Sequence, residues 1–271
     1  MGTLVTFHAH PDDEAIATGG AMARAHAEGH RVVLVVATGG EHGEVPDDLA
    51  PGETLADRRR AETMTSAAAL GVDRVVFLGY RDSGMTGWDQ NGHADSFVQS
   101  DLDDAAGRLA AVLREESADV LTIYDWHGNY GHPDHVKVYE VGCRAEELVA
   151  GDLPSLRVFE ATMNRDELRR QMSAAREGGG GFGPEDDFDP DGPMDDGNPM
   201  GLPESELTMV VDVAAHTSQK RAAIAAHRSQ ITDSSFFVQM PEERFTVAFG
   251  REWYREHGAE PGLRPGWFFG A

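Results

Sequence analysis

The segment Arg31–Thr38, reading RVVLVVAT, most narrows the folds open to this chain. A strand with one wet face alternates apolar and polar side chains. An unbroken valine-rich run suits a strand covered on both faces, as in a parallel sheet layered between helices. The flanking segments keep the same pattern. Thr3–Phe7 predicts a first strand, Glu14–Glu28 a helix stopped near Gly29, Thr54–Leu70 a helix stopped at Gly71, and Arg74–Leu78 a third strand. Leu102–Glu116, Asp119–Tyr124 and His132–Val149 continue as helix, strand and helix. Strands separated by helices imply right-handed crossovers. The expectation is an α/β fold: a Rossmann-like open, mainly parallel sheet with helices on both faces and a smaller C-terminal portion.

The 271 residues are enough for one large domain. Residues 1–177 are expected to form the core that carries the chemical motifs. From 178 to 201 the chain is Gly, Pro and acid, which predicts a flexible flap at the rim of the site, anchored by Phe182 and Phe188. Residues 202–271 are expected to complete the same domain, with a strand at Leu207–Val213, a helix at Thr217–His227 and an extended tail from about 256.

Charge excludes several classes of function. Asp and Glu number 47 against 23 Lys and Arg, a formal charge of −24. Nucleic-acid binding draws its affinity from cations that neutralise phosphates, and anionic membranes attract basic segments, so neither partner is expected. The longest apolar run, Val32–Ala37, is far short of the roughly 20 residues a spanning helix needs. The single cysteine, Cys143, has no partner within the chain, and a cytoplasmic location is the expectation. Gly178, Gly180 and Gly183 fit a G-x-G-x-x-G pattern, but a dinucleotide loop lies between a strand and a helix, and this one precedes Pro184 and a row of acids. No G-x-S-x-G segment supplies a serine nucleophile.

The chemically suggestive residues fall in the loops that follow the strands, where an open α/β sheet binds ligands. His8-Ala9-His10-Pro11-Asp12-Asp13-Glu14 follows the first strand. A His and a carboxylate spaced i, i+3 at a strand-to-helix turn can converge on one ion, and an adjacent carboxylate can deprotonate water. The plain alternative is that Asp12 or Asp13 only caps the next helix. Tyr130-Gly131-His132-Pro133-Asp134-His135 follows the fourth strand. His132 and His135 share one helical face, so one could be a third ligand and the other a proton donor. Two such clusters, each between a strand and a helix, are hard to explain as capping.

HAHPDDE near the start and GHPDH some 120 residues later resemble the LmbE-like, or PIG-L, superfamily of zinc-dependent de-N-acetylases. Three further segments are similar to that superfamily: Thr38-Gly39-Gly40-Glu41-His42-Gly43-Glu44, Arg59 with Glu62, and Gly79-Tyr80-Arg81-Asp82-Ser83-Gly84-Met85. The last resembles the mycothiol-pathway branch, which contains an N-acetylglucosaminyl-inositol deacetylase and a mycothiol S-conjugate amidase. The resemblance implies that His10, Asp13 and His135 hold Zn²⁺, with Fe²⁺ fitting the same ligands. It implies Asp12 as general base, and His132 as general acid or cationic stabiliser, oriented by Asp134. Tyr130 would donate to the oxyanion, and Arg59 and Asp82 would bind substrate hydroxyls.

The implied reaction hydrolyses an N-acetyl amide on a small-molecule amino sugar or its conjugate, by a protein that a homo-oligomeric state would also suit. Cleavage of a thiol conjugate, deacetylation of a secondary-metabolite sugar, and a non-catalytic metal-containing sugar-binding protein are the rivals. The segment Asp125-Trp126-His127-Gly128-Asn129-Tyr130 departs from the family's DENGGY. His127 reads as pocket wall or second metal ligand, His8 as packing or support, and Glu41 and Glu44 as substrate contacts or loop carboxylates. Lys220 reads as the exposed end of an amphipathic helix, and His227 and Gln230 as pocket-rim candidates.

Overall fold

The computed structural model describes residues 1–177 and 188–270. The first five strands are β1 (Thr3–His8), β2 (Arg31–Thr38), β3 (Arg74–Tyr80), β4 (Val120–Tyr124) and β5 (Arg157–Thr162). β6 (Met209–Asp212), β7 (Arg251–Glu256) and β8 (Arg264–Pro265) extend the same sheet, in the order β3-β2-β1-β4-β5-β7-β6-β8. The first five are parallel, and β7 runs antiparallel to β5 and β6. Eight parallel and antiparallel strands in one open sheet, with helices on both faces, confirm the α/β class.

The helices are α1 (Asp13–Ala17), α2 (Gly19–Ala27), α3 (Leu55–Leu70), α4 (Leu102–Glu115), the short turn α5 (Gly128–Gly131), and α6 (Pro133–Val149). After β5 come α7 (Arg165–Glu177), α8 (Thr217–Ala226), α9 (Phe236–Gln239) and α10 (Glu242–Phe249). The period-2 alternation of a strand divides the core. Val5 and Phe7 point to one face with Leu109, Val138 and Val141 from α4 and α6, while Leu4 points to the other with Met22, Leu70 and Ile224 from α2, α3 and α8. Every residue of β1 is buried, as is all of β2 after Arg31, so the apolar run has the two-sided cover its composition requires.

One predicted helix is two. The expected Glu14–Glu28 helix breaks at Thr18, before Gly19 and Gly20. Glu252 of β7 causes the break: its carboxylate accepts the main-chain N–H of Gly20 and of Ala21, at 2.8 and 3.0 Å, and so caps a new helix. Lys220 lies 2.6 Å from the same carboxylate, and both side chains are buried. Lys220 is thus an internal ion-pair partner, contrary to the exposed position expected for it. Among the described residues, no helix is long and apolar enough to cross a membrane.

Candidate active site

The chain leaves β1 towards β2 on one side and returns to β4 on the other, so β1 and β4 flank the point where the strand order reverses. The crevice beyond their carboxyl ends is where open α/β sheets hold ligands. The turn into α1 and the turn α5–α6 meet there. Asp13 Oδ2 lies 3.3 Å from His10 Nδ1 and 3.4 Å from His135 Nε2. Ligands held at about 2.0–2.2 Å around a tetrahedral ion stand about 3.4 Å apart, so each of these two pairs has the spacing of groups that share a divalent cation.

The remaining ring nitrogens support the same reading. His10 Nε2 is 3.1 Å from Asp134 Oδ2 and 3.5 Å from Asp82 Oδ1, and His135 Nδ1 is 3.2 Å from the Gly128 carbonyl. Such partners fix the tautomer and aim the opposite nitrogen at the ion. Gly128 is needed for this contact: its φ is +66°, and a Cβ there would stand 2.3 Å from that of His135. Burial opposes a charge on His10, yet Asp82, Asp13 and Asp134 outweigh it and push its pKa well above the usual range. Burial also opposes a charge on Asp13, and His135 and His10 hold its pKa well below the usual range. Among the described residues, the groupings whose ligand atoms all lie within 4.8 Å of one another are His10 with His132 and His135, and His10 with Asp82 and Asp134. In the last, both carboxylates already accept protein N–H groups, from Ser83, Gly84 and His42.

Asp12 occupies the N-cap of α1, but its side chain makes no capping hydrogen bond. Its carboxylate faces the cavity instead, 3.2 Å from Arg59 Nη2. Burial raises its pKa to about 6, with Arg59 pulling it down and Asp13 pushing it up. His132 and Tyr130 line the same cavity. His132 Nδ1 accepts the main-chain N–H of Asp134 at 3.1 Å, which leaves Nε2 to carry the proton. Burial, with His10 and His135 nearby, pushes the His132 pKa down to about 2, which favours the neutral imidazole. Burial pushes the Tyr130 pKa up, which keeps its phenol a donor.

The expected role of Asp134 needs correction. Its carboxylate supports His10 and accepts from Ser83 Oγ and Ser83 N, and it meets His132 only through its backbone. The reason is geometric. His132 is the N-cap of α6 and Asp134 lies in the first turn, so the side chain of Asp134 points back across the crevice to β1. Arg59 and Asp82 line the cavity, but each also has a structural task. Arg59 donates to the carbonyls of Pro11 and Gly40, and Asp82 accepts from His42 N and Gly84 N. Glu41 accepts from Asp82 N, and Glu44 is joined through its backbone to Gln230.

Other histidines lie inside. His8 bridges Tyr124 Oη and Thr18 Oγ1, each at 2.9 Å, and burial lowers its pKa to about 4. His227 is fully buried against Glu14 instead of standing at the rim. His127 is 3.2 Å from Asp196 Oδ2 and away from the ligand set. The described part of the expected flap, 188–201, is fastened down. Asp195 N donates to the Tyr130 carbonyl, Gly201 N donates to that of Asn129, and a Cβ on Gly131 would strike Asp196. Residues 178–187, with Phe182 and the G-x-G-x-x-G pattern, lie outside the described residues. Sequence reasoning missed His42, Met85 and Trp88 as cavity walls; their one signal is position in the loops after β2 and β3.

A family model described as GlcNAc-PI de-N-acetylase, PIG-L, matches residues 5–146. A 1D-myo-inositol 2-acetamido-2-deoxy-alpha-D-glucopyranoside deacetylase of a Nocardioides species is 38% identical over 288 residues, covering 96% of this chain and 93% of its own. The protein of the same name from Thermobispora bispora is 40% identical, covering 90% and 83%. Among solved structures, the N,N'-diacetylchitobiose deacetylase from Pyrococcus horikoshii superposes with a TM-score of 0.59 at 23% identity, over 94% of this chain and 83% of that one. A 4-carboxy-2-hydroxymuconate hydratase superposes with a TM-score of 0.60 at 18% identity, over 97% and 99%. The fold alone therefore does not name a reaction.

Proposed function

The chain belongs to the GlcNAc-PI de-N-acetylase (PIG-L) family and is a deacetylase, and we propose that it removes the acetyl group from an N-acetylglucosaminyl-inositol, releasing acetate and a free amine. Near end-to-end similarity to relatives named for that substrate carries the reading. The cavity suits a sugar: at about 290 Å³ it lies at the small end of ligand pockets, and Met85 and Trp88 add apolar wall beside its polar residues. Arg59 and Asp82 contact sugar hydroxyls from the wall.

His10, Asp13 and His135 would hold a divalent ion, zinc or ferrous iron, which when bound supplies Lewis acidity to the amide carbonyl and to water. Asp12, lifted towards neutrality by burial, accepts the proton of the attacking water. Tyr130 donates to the carbonyl oxygen as it gains charge. The departing nitrogen leaves only when protonated, and the proton that Asp12 takes from water is the one available to it, while the neutral His132 donates its Nε2–H as a hydrogen bond to the tetrahedral oxygen. The substrate is a small molecule.

The test is free-amine and acetate release from N-acetylglucosaminyl-inositol, N-acetylglucosamine and a thiol S-conjugate, with zinc-loaded protein. The inositol conjugate is expected to show the highest kcat/KM. A preference for the S-conjugate overturns the proposed substrate, and release from none of them overturns the deacetylation reading.

A further inference from the structure

Asp12 has a backbone conformation that its residue type resists. Its φ is +105° with ψ −31°, in the region that favours glycine. Such a conformation is strained for a residue with a side chain and persists only where its surroundings impose it. The imposed contact is visible: Asp12 N–H donates to Glu14 Oε2 at 2.9 Å. Glu14 is fully buried, and its other oxygen is held by His227 Nε2 at 2.7 Å and Ser66 Oγ at 2.6 Å. His227 is also fully buried, at the C-terminal end of α8, and among the described residues its Nδ1 has no partner. Its hydrogen bonding is therefore spent on Glu14, and neither group is needed for the chemistry described above.

We infer that Glu14 and His227 are positioning residues for Asp12, a carboxylate–imidazole pair from opposite ends of the chain that holds the main chain of the base so that its carboxylate faces the cavity. Without the Glu14 acceptor, the Asp12 N–H is left unsatisfied, and the Pro11–Asp12 peptide is held only from its carbonyl side, by Arg59. The peptide relaxes towards an ordinary conformation and swings the carboxylate away from the water it must deprotonate. A misplacement of about 1 Å costs a rate roughly 10²-fold. His227 acts one step further out: it fixes the rotamer of Glu14, and it reaches the site only because α8 packs on α1 and α3.

The inference rests on the deacetylase reading with Asp12 as base. If the parent protein deacetylates nothing, or Asp12→Asn is fully active, that reading fails first. Granted both, Glu14→Ala and His227→Leu should lower kcat about 10–100-fold, with KM within about 3-fold and metal content unchanged. Glu14→Gln, which keeps an acceptor for Asp12 N–H, should recover most of the rate. In an Asp12→Asn background the same changes should cost less than about 3-fold more, because the group they position is already gone. A readout independent of turnover is the Asp12 amide proton, which should exchange at least about 10-fold faster in Glu14→Ala, while amides of β1 keep their protection. Losses that add fully in the Asp12→Asn background, or an unchanged Asp12 amide in Glu14→Ala, would overturn the inference. If His227→Leu does not fold, the Glu14→Ala and Glu14→Gln pair decides it alone.

Discussion

Adjacent residues of one type can have opposite tasks when the backbone turns between them. Asp13 lies between two imidazoles, within 3.4 Å of each, whereas Asp12 faces Arg59 and the cavity. Asp12→Asn should therefore keep its metal and lose about 10²–10⁴-fold in kcat, the usual worth of a general base. Asp13→Asn should lose metal affinity first. Metal analysis beside kcat separates the two, and the reverse pattern would exchange their roles. Such residues were legible in the sequence because the candidate ligand and base follow β1 directly, within five residues of its end. The partner of Asp134 was not legible. The family resemblance paired it with His132, but the first turn of α6 sends its side chain across the crevice to His10.

At the scale of elements, polar contacts between distant segments hold the site. Asp196 reaches His127, and its neighbour Asp195 donates to Tyr130. Asp196→Ala should loosen the α5 turn, lowering kcat several-fold with metal retained; an unchanged kcat would make the contact incidental. His257, just after β7, joins Glu146 of α6 at 2.7 Å and Glu160 of β5 at 3.0 Å. Burial opposes its charge, but the two carboxylates overcome it and raise its pKa to about 9, while Arg255 shares Glu160.

The folded pKa of His257 exceeds the unfolded value near 6.5, so its contribution is complete below that pH and fades as pH rises towards 9. It is worth on the order of 2 kcal/mol. Thermal melts between pH 6 and 9.5 should show His257→Gln flattening this fall in Tm; parallel curves would refute the linkage. Elements with a single period, such as β2 and α3, were legible residue by residue. β7, reading REWYRE, was not, since its charged residues find partners only in the folded sheet. The break between α1 and α2 likewise depends on Glu252, more than 230 positions away.

Over the whole molecule, the formal charge of −24 sets the response to salt. Self-repulsion destabilises a compact acidic protein, and ions screen charges more than a Debye length apart, about 10 Å at 0.1 M. Raising NaCl from about 20 to about 300 mM should therefore raise Tm by a few degrees. A fall would show that surface ion pairs outweigh the repulsion. The sequence by itself determined the α/β class, the parallel first half and the loops that carry the candidate ligands and base, because these rest on local periodicity and on residues beside strand ends. Only the tertiary structure decided that the C-terminal strands extend the same sheet, that Asp134 serves His10, and that Glu14 and His227 hold Asp12. Those arrangements depend on which buried polar group lies nearest once the helices have packed. A hydrogen bond between residues 213 positions apart leaves no period in the chain to find it by.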